Sequence, residues 1–131
     1  MIEGVDYTKT SWQQLQDFPS PTGETFSLRE YSGPLGCDHL AFTVGRLAPG
    51  QFCDHHQHAE SEEVYILASG HCQIRIADGA IDAEPFDAFR IPPGVDHSVY
   101  NNTDETCFWI FMGPRNEEFF EYFYPERLVS N

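Results

Sequence analysis

The chain is predicted to be all-β: a single-domain jelly-roll β-barrel with short helical segments at its ends. Three observations carry this. Short runs that alternate apolar and polar residues recur between turn signals, as in Phe26 and Leu28, Leu40, Phe42 and Val44, and Ile74 and Ile76. No strand-like run alternates with a long helical pattern, which argues against a parallel α/β sheet. Eleven Phe, six Tyr and two Trp in 131 residues supply the bulky side chains that fill such a structure. That length suits one domain, 1–131, with a core that needs no disulfides.

Residues 9–18 suggest a short helical turn, capped by Thr10 or Ser11 and ended by Pro19 and Pro21. Residues 24–31 read as a strand, and 32–38, with Gly33, Pro34 and Gly36, as a loop. Further strands are expected over 39–47, from Glu63 onward, over 71–77, over 83–91, over 97–100 and over 105–112. Asp78-Gly79 signals a hairpin turn. Near the C-terminus, Asn116 suits an N-cap, and Glu117 and Glu118 suit the positive end of a helix that Pro125 stops. Phe119, Tyr122 and Phe123 share one face of that helix. So aromatic a face packs on its own chain, covers a pocket or meets a second copy.

The stretch 50–70 carries the chemistry. In a strand, His56 and His58 point the same way and His55 and Gln57 the other. The link 59–62 is short and polar, and a second strand starts at Glu63. Two imidazoles and a carboxylate converging from neighbouring strands suit a borderline divalent metal. His97, just past the Pro92-Pro93-Gly94 turn, is a fourth ligand candidate. Glu62 competes with Glu63, but Glu63 shares a face with Tyr65 and Leu67 and is preferred. Cys53 is expected in the core and His39 at the surface or rim.

These residues resemble the two motifs of the cupin superfamily. Gly50, His56, His58, Glu63 and Gly70 match the first, over 50–70. Pro92, Gly94, His97 and Asn101 match the second, over 86–101, where Phe86 replaces the opening glycine. The resemblance implies one divalent transition metal per chain, Fe, Mn, Ni, Zn, Co or Cu, held by His56, His58, Glu63 and His97. Counting back from Gly70 also selects Glu63 over Glu62. Length and motif layout are similar to small cupin lyases that cleave dimethylsulfoniopropionate, in which the tyrosine two residues after the ligand glutamate is a base. Tyr65 holds that place and is the candidate catalytic residue.

The formal net charge is −14, and Lys9 is the single lysine. Such a balance argues against nucleic acid and anionic membranes as partners, and it also suits a high-salt cytoplasm. No apolar run is long enough to span a membrane, and the start of the chain lacks a signal-peptide pattern. The cysteines at 37, 53, 72 and 107 form no C-x-x-C pair and read as free thiols in a reducing cytoplasm. The expected partners are a small-molecule substrate and a second copy in a homodimer.

Four ligands leave two positions of a six-coordinate metal open. A dioxygenase acting on a small enol, diol, thiol or keto acid is the first reading. A lyase or isomerase with Tyr65 as base is the second. A metal-anchored binding or sensor protein is a third, of a different class. Arg46, Arg75 and Arg90 fall in predicted strands, where one could meet a substrate carboxylate or all could lie at the surface.

Overall fold

The computed structural model describes residues 2–18, 26–56 and 58–126, with side chains throughout except at 54–56. A 3-10 turn spans Trp12–Gln14. The strands are β1 (Asp17–Phe18), β2 (Ser27–Glu30), β3 (Leu40–Leu47), β4 (Phe52–His56), β5 (Glu63–Ser69), β6 (Cys72–Ile76), β7 (Gly79–Ala83), β8 (Ala88–Ile91), β9 (His97–Tyr100) and β10 (Cys107–Pro114). Two helices complete the order, α1 (Ser32–Leu35) and α2 (Glu117–Phe123).

The strands form two sheets among the described residues, ordered β1-β2-β3-β10-β5-β8 and β4-β9-β6-β7. All their pairings are antiparallel. Neither sheet closes on itself. The first ends at β1 and β8 and the second at β4 and β7, with no ladder joining the edges. The expectation of an all-β jelly-roll β-barrel is therefore corrected to a mixed fold of two open sheets and two short helices. Closure is a matter of which distant edges bond to each other, and alternation within a strand carries no record of that.

Leu47, Leu67, Ile74, Ile91, Val99, Cys107 and Trp109 are buried between the sheets. Each large apolar side chain withdrawn from water there contributes about 1.5–3 kcal/mol before entropy is counted. On β3 the buried face is Ala41, Thr43, Gly45 and Leu47, whereas Leu40 is 63% exposed. Gly45 explains the choice. A Cβ there would lie 2.7 Å from Phe111 on the neighbouring β10, so only glycine admits that ring. On the other face Phe42 stacks on Tyr31 with ring centroids 5.2 Å apart.

Several boundaries differ from the sequence reading. The expected helical turn over 9–18 is only the 3-10 turn, because Asp17 and Phe18 pair with Arg29 and Leu28. Pro19, Pro21 and the start of the strand at 24 lie outside the described residues. The loop over 32–38 contains α1, which ends at Gly36 in the left-handed region. Of the expected strand over 83–91, Ala83 ends β7 and Ala88–Ile91 is β8, and between them lies a turn in which the Asp87 carboxylate accepts from the Glu84 N–H at 2.9 Å. The β6–β7 hairpin turns on Ala77 and Asp78, one residue earlier than Asp78-Gly79.

Phe86 sits in that β7–β8 turn at φ 73° and is 83% exposed. Its N–H donates to the Leu67 carbonyl at 2.7 Å, so the turn needs this backbone conformation. A residue with a Cβ is strained there by about 1–2 kcal/mol, and the exposed ring recovers little of that. Phe86→Gly is expected to stabilise the protein by about 1 kcal/mol in urea denaturation, after glycine's extra unfolded-state entropy is set against the strain. A loss of stability would show that the ring is held by contacts this turn lacks.

Candidate metal centre

Gly70 ends β5 at φ 78°, and a Cβ there would lie 2.7 Å from the Thr106 carbonyl oxygen. Both constraints demand glycine, and they set the start of β10 against the end of β5. Asn101 is fully buried at the far end of β9. Its amide donates to the carbonyls of Leu47 (2.9 Å) and Glu105 (2.7 Å) and accepts from the Thr103 N–H (3.0 Å). The motif asparagine is thus a brace between strand ends, far in role from the chemistry.

β4 ends at His56, so His58 lies beyond the strand on which the spacing argument placed both residues. A turn holds His58 instead. The Gly94 N–H, with Gly94 at φ 77°, donates to the His58 carbonyl at 2.7 Å. The second motif therefore positions a residue of the first. The His56 backbone pairs with His97 in the β4–β9 register, next to an irregularity between Cys53 and His56. The side chains of His55 and His56, and all of Gln57, lie outside the described residues.

His58, Glu63 and His97 come together, with one ligand atom from each lying within 4.8 Å of the others. His58 Nε2 is 3.1 Å and His97 Nε2 3.2 Å from Glu63 Oε1. His97 is 1% exposed. Its Nδ1 faces the Val95 carbonyl at 2.9 Å, and His58 Nδ1 faces Glu118 Oε2 at 3.3 Å. An acceptor on Nδ1 selects the tautomer that leaves Nε2 as the ligand atom. Glu62 turns outward and pairs with Arg90, so Glu63 is the carboxylate of the cluster. Cys53 is buried and stands outside the cluster among the described residues, and His39 is exposed.

Electrostatics bind the group. Burial pushes the Glu63 carboxyl up, but hydrogen bonds from His58 and His97 outweigh it and bring it down to about 2. The hydrogen bond to Glu63 raises His58, against the opposing effect of burial. Two imidazoles and one carboxylate, each imidazole braced from behind, are a donor set that fits a divalent transition metal.

Tyr65 is 4% exposed and donates its hydroxyl to Glu63 Oε1 at 3.4 Å. Burial, reinforced by the Glu63 charge, holds the phenol well above its usual range. Its ring meets Phe111 edge-on at 4.5 Å and His97 at 5.4 Å. Glu63, His58 and Tyr65 line a cavity of about 290 Å³ between β3, β5, β10 and α2.

The helix α2 forms one wall of that cavity through Phe119, Tyr122 and Phe123. Asn116 caps it as expected, accepting from the Phe119 N–H at 3.2 Å. Phe123 also packs edge-on against Phe18, centroids 5.1 Å apart. The aromatic face therefore rests on its own chain and on the cavity. Two contributors were missed by sequence reasoning. Glu118, assigned only a helix-end role, accepts from Ser61 Oγ at 3.0 Å as well as meeting His58. Glu30 is buried and receives the Tyr124 hydroxyl at 2.6 Å. The Glu118 partner His58 lies sixty residues away, and Glu30, besides its local bonds to Ser32 and Gly33, meets Tyr124 ninety-four residues away, so neither long-range role shows in the sequence.

A cupin domain model matches residues 43–113, more than half of the chain. The chain belongs to the cupin family. Solved structures agree at the level of fold. A cupin-superfamily sugar phosphate isomerase from Silicibacter pomeroyi is 20% identical, with 83% of this chain and 76% of that one covered at a TM-score of 0.73. The polyketide cyclase RemF from Streptomyces resistomycificus is 19% identical, covering 83% and 80% at 0.73. A predicted oxalate decarboxylase from Thermotoga maritima is 13% identical, covering 82% and 98% at 0.70. No curated protein matches the sequence significantly. No helix among the described residues of this cupin is long and apolar enough to cross a membrane.

Proposed function

We propose that this cupin is a metal-dependent lyase or isomerase acting on a small organic molecule, with Tyr65 as its base. The observation that carries the reading is the placement of the Tyr65 hydroxyl beside Glu63 on the wall of the cavity that the His–Glu cluster faces. His56, His58, Glu63 and His97 would hold the metal, His56 being added from the motif spacing. A divalent cation at that cluster supplies a Lewis acid that polarises a carbonyl or hydroxyl oxygen.

The chain's own groups do the rest. Once its own proton has been lost to solvent, which a cation at the cluster would favour against the burial that holds the phenol high, the Tyr65 phenolate would take the proton from the carbon next to the polarised oxygen. In an isomerisation it returns that proton to the neighbouring carbon, and in an elimination the leaving group departs with the bond electrons. Glu118 and the Val95 carbonyl keep the two imidazoles in orientation, and the aromatic wall excludes water. The names of the three structural neighbours, an isomerase, a cyclase and a predicted decarboxylase, favour this over the dioxygenase reading, which stands second. That no disulfide joins the four cysteines among the described residues supports a cytoplasmic setting. Exposed Ile2, Val5 and Tyr7 offer apolar surface for the proposed homodimer.

Hydrogen exchange tests it. Metal-loaded protein in deuterated water should exchange the hydrogen next to the carbonyl in some members of a panel of neutral hydroxy ketones and keto esters, followed by NMR. Tyr65→Phe should keep its metal and lose about 10²-fold in that rate. An unchanged rate in the variant would remove Tyr65 as base. Dioxygen uptake by the iron-loaded protein on the same panel would favour the oxygenase, and neither activity the binding protein.

A further inference from the structure

The cavity is walled by Phe26, Leu28, Val99, Phe111, Met112 and Phe123, and no Arg or Lys lines it among the described residues. The arginines among the described residues have other partners. Arg46 donates to Ser27 Oγ at 3.1 Å and lies over the Trp12 ring, 5.4 Å from its centroid. Arg75 donates to Gln73 at 3.3 Å, and Arg90 pairs with Glu62. Arg29 donates to the Trp12 carbonyl at 2.6 Å, and Arg115 bonds Ser32 Oγ at 2.5 Å. The carboxylates on the cavity wall are Glu63, inside the cluster, and Glu118 on α2.

We propose that the cavity takes a neutral molecule with a flat, apolar body and one oxygen-bearing end, and that it discriminates against phosphates, sulfonates and carboxylates carried on that body. The inference rests on the functional reading above for the oxygen-bearing end, which meets the His–Glu cluster. The body follows from the walls alone. A buried anion costs several kcal/mol unless a cation or a set of donors meets it. Here the remote wall is mostly aromatic and aliphatic carbon with the Thr43 hydroxyl among it, Ser61 is bonded to Glu118 and to Asn116, and the charge on the described wall outside the cluster is the negative Glu118. The positive end of α2 gives no relief, because Asn116 caps it and Glu117 and Glu118 occupy its first turn. Aromatic rings on several sides favour a flat partner, whose faces and edges they meet in offset or T-shaped contact. The volume, about 290 Å³, lies at the small end of the range for small-molecule sites. Phosphorylated sugars, which need Arg, Lys or free backbone N–H groups, are poor candidates despite the name of one structural neighbour.

Calorimetric titration with matched probes tests this. Zinc-loaded protein receives a naphthalenediol with adjacent hydroxyls, or the same diol with a sulfonate on the distant ring. The neutral diol should bind at least about tenfold more tightly. Equal affinity, tighter binding of the sulfonate, or no binding of either to protein shown by circular dichroism to be folded would overturn the proposal. Metal-free protein then receives methoxynaphthalene and its sulfonate, which cannot chelate. The same neutral preference there supports the wall argument independently. Should zinc add nothing to diol binding while the neutral preference holds in both forms, the cluster reading fails and the charge selection stands. Met112→Arg places a cation on the wall and should reverse the preference by raising sulfonate affinity about tenfold or more. An unchanged preference in that variant, folded as judged by its thermal transition, would count against the proposal.

Discussion

Replacing His97 with alanine is expected to leave less than about a tenth of an equivalent of divalent metal on the protein, where the native chain carries about one. His97 is 1% exposed, and its ring is fixed by the Val95 carbonyl on one side and Glu63 on the other. No other described imidazole except His58 stands close enough to Glu63 to replace it. A small side chain cannot restore the lost donor, and the remaining residues form a weaker site. His56→Ala should behave like His97→Ala, from its place in the motif and its register opposite His97. The exposed His71 makes a control, and His71→Ala should keep a full equivalent. Elemental analysis after purification in metal-supplemented medium measures all three. Full occupancy in His97→Ala would mean that His97 is not a required ligand and that the metal is held elsewhere or by the remaining residues.

Glu30→Ala should destabilise the metal-free protein by about 3–5 kcal/mol in urea denaturation. Glu30 is 2% exposed and is the centre of a network. Its carboxylate accepts from the Ser32 N–H at 2.7 Å, the Ser32 hydroxyl, the Gly33 N–H at 2.9 Å and the Tyr124 hydroxyl at 2.6 Å. Arg115 lies 3.9 Å away and is itself largely buried. Removing the carboxylate strips several buried donors of their acceptor and leaves the guanidinium without its counter-charge. The network also holds both ends of α2, since Arg115 precedes the helix and Tyr124 follows it. Loss of Glu30 should therefore loosen the cavity wall as well as the fold. Glu62→Ala, which removes an exposed partner of Arg90, is the control and should change stability by no more than about 0.5 kcal/mol. A cost below about 1 kcal/mol for Glu30→Ala would show that water replaces the network easily.

What the sequence by itself determined was local. The strand period separated Glu63 from Glu62, and the structure places Glu63 in the cluster and Glu62 against Arg90. Asn116 as a helix cap, His97 just beyond a Pro-Gly turn and Cys53 in the core were also legible, because each depends on residues within a few positions. Tertiary structure decided the rest. Whether the sheets close depends on the pairing of strand edges far apart in the chain, and here they stay open. His58 lies beyond the end of β4 and is held by Gly94 rather than by strand alternation. Glu118 reaches His58 and Tyr124 reaches Glu30 only because α2 folds back over the cavity. The absence of arginine from the described cavity wall is likewise a property of packing, since Arg46, Arg75 and Arg90 all stand in strands, as the sequence suggested, and all face other partners. Periodicity says which side chains share a face of their own strand. Which neighbour that face meets is set by long-range contacts whose free energy appears only when the whole chain is folded.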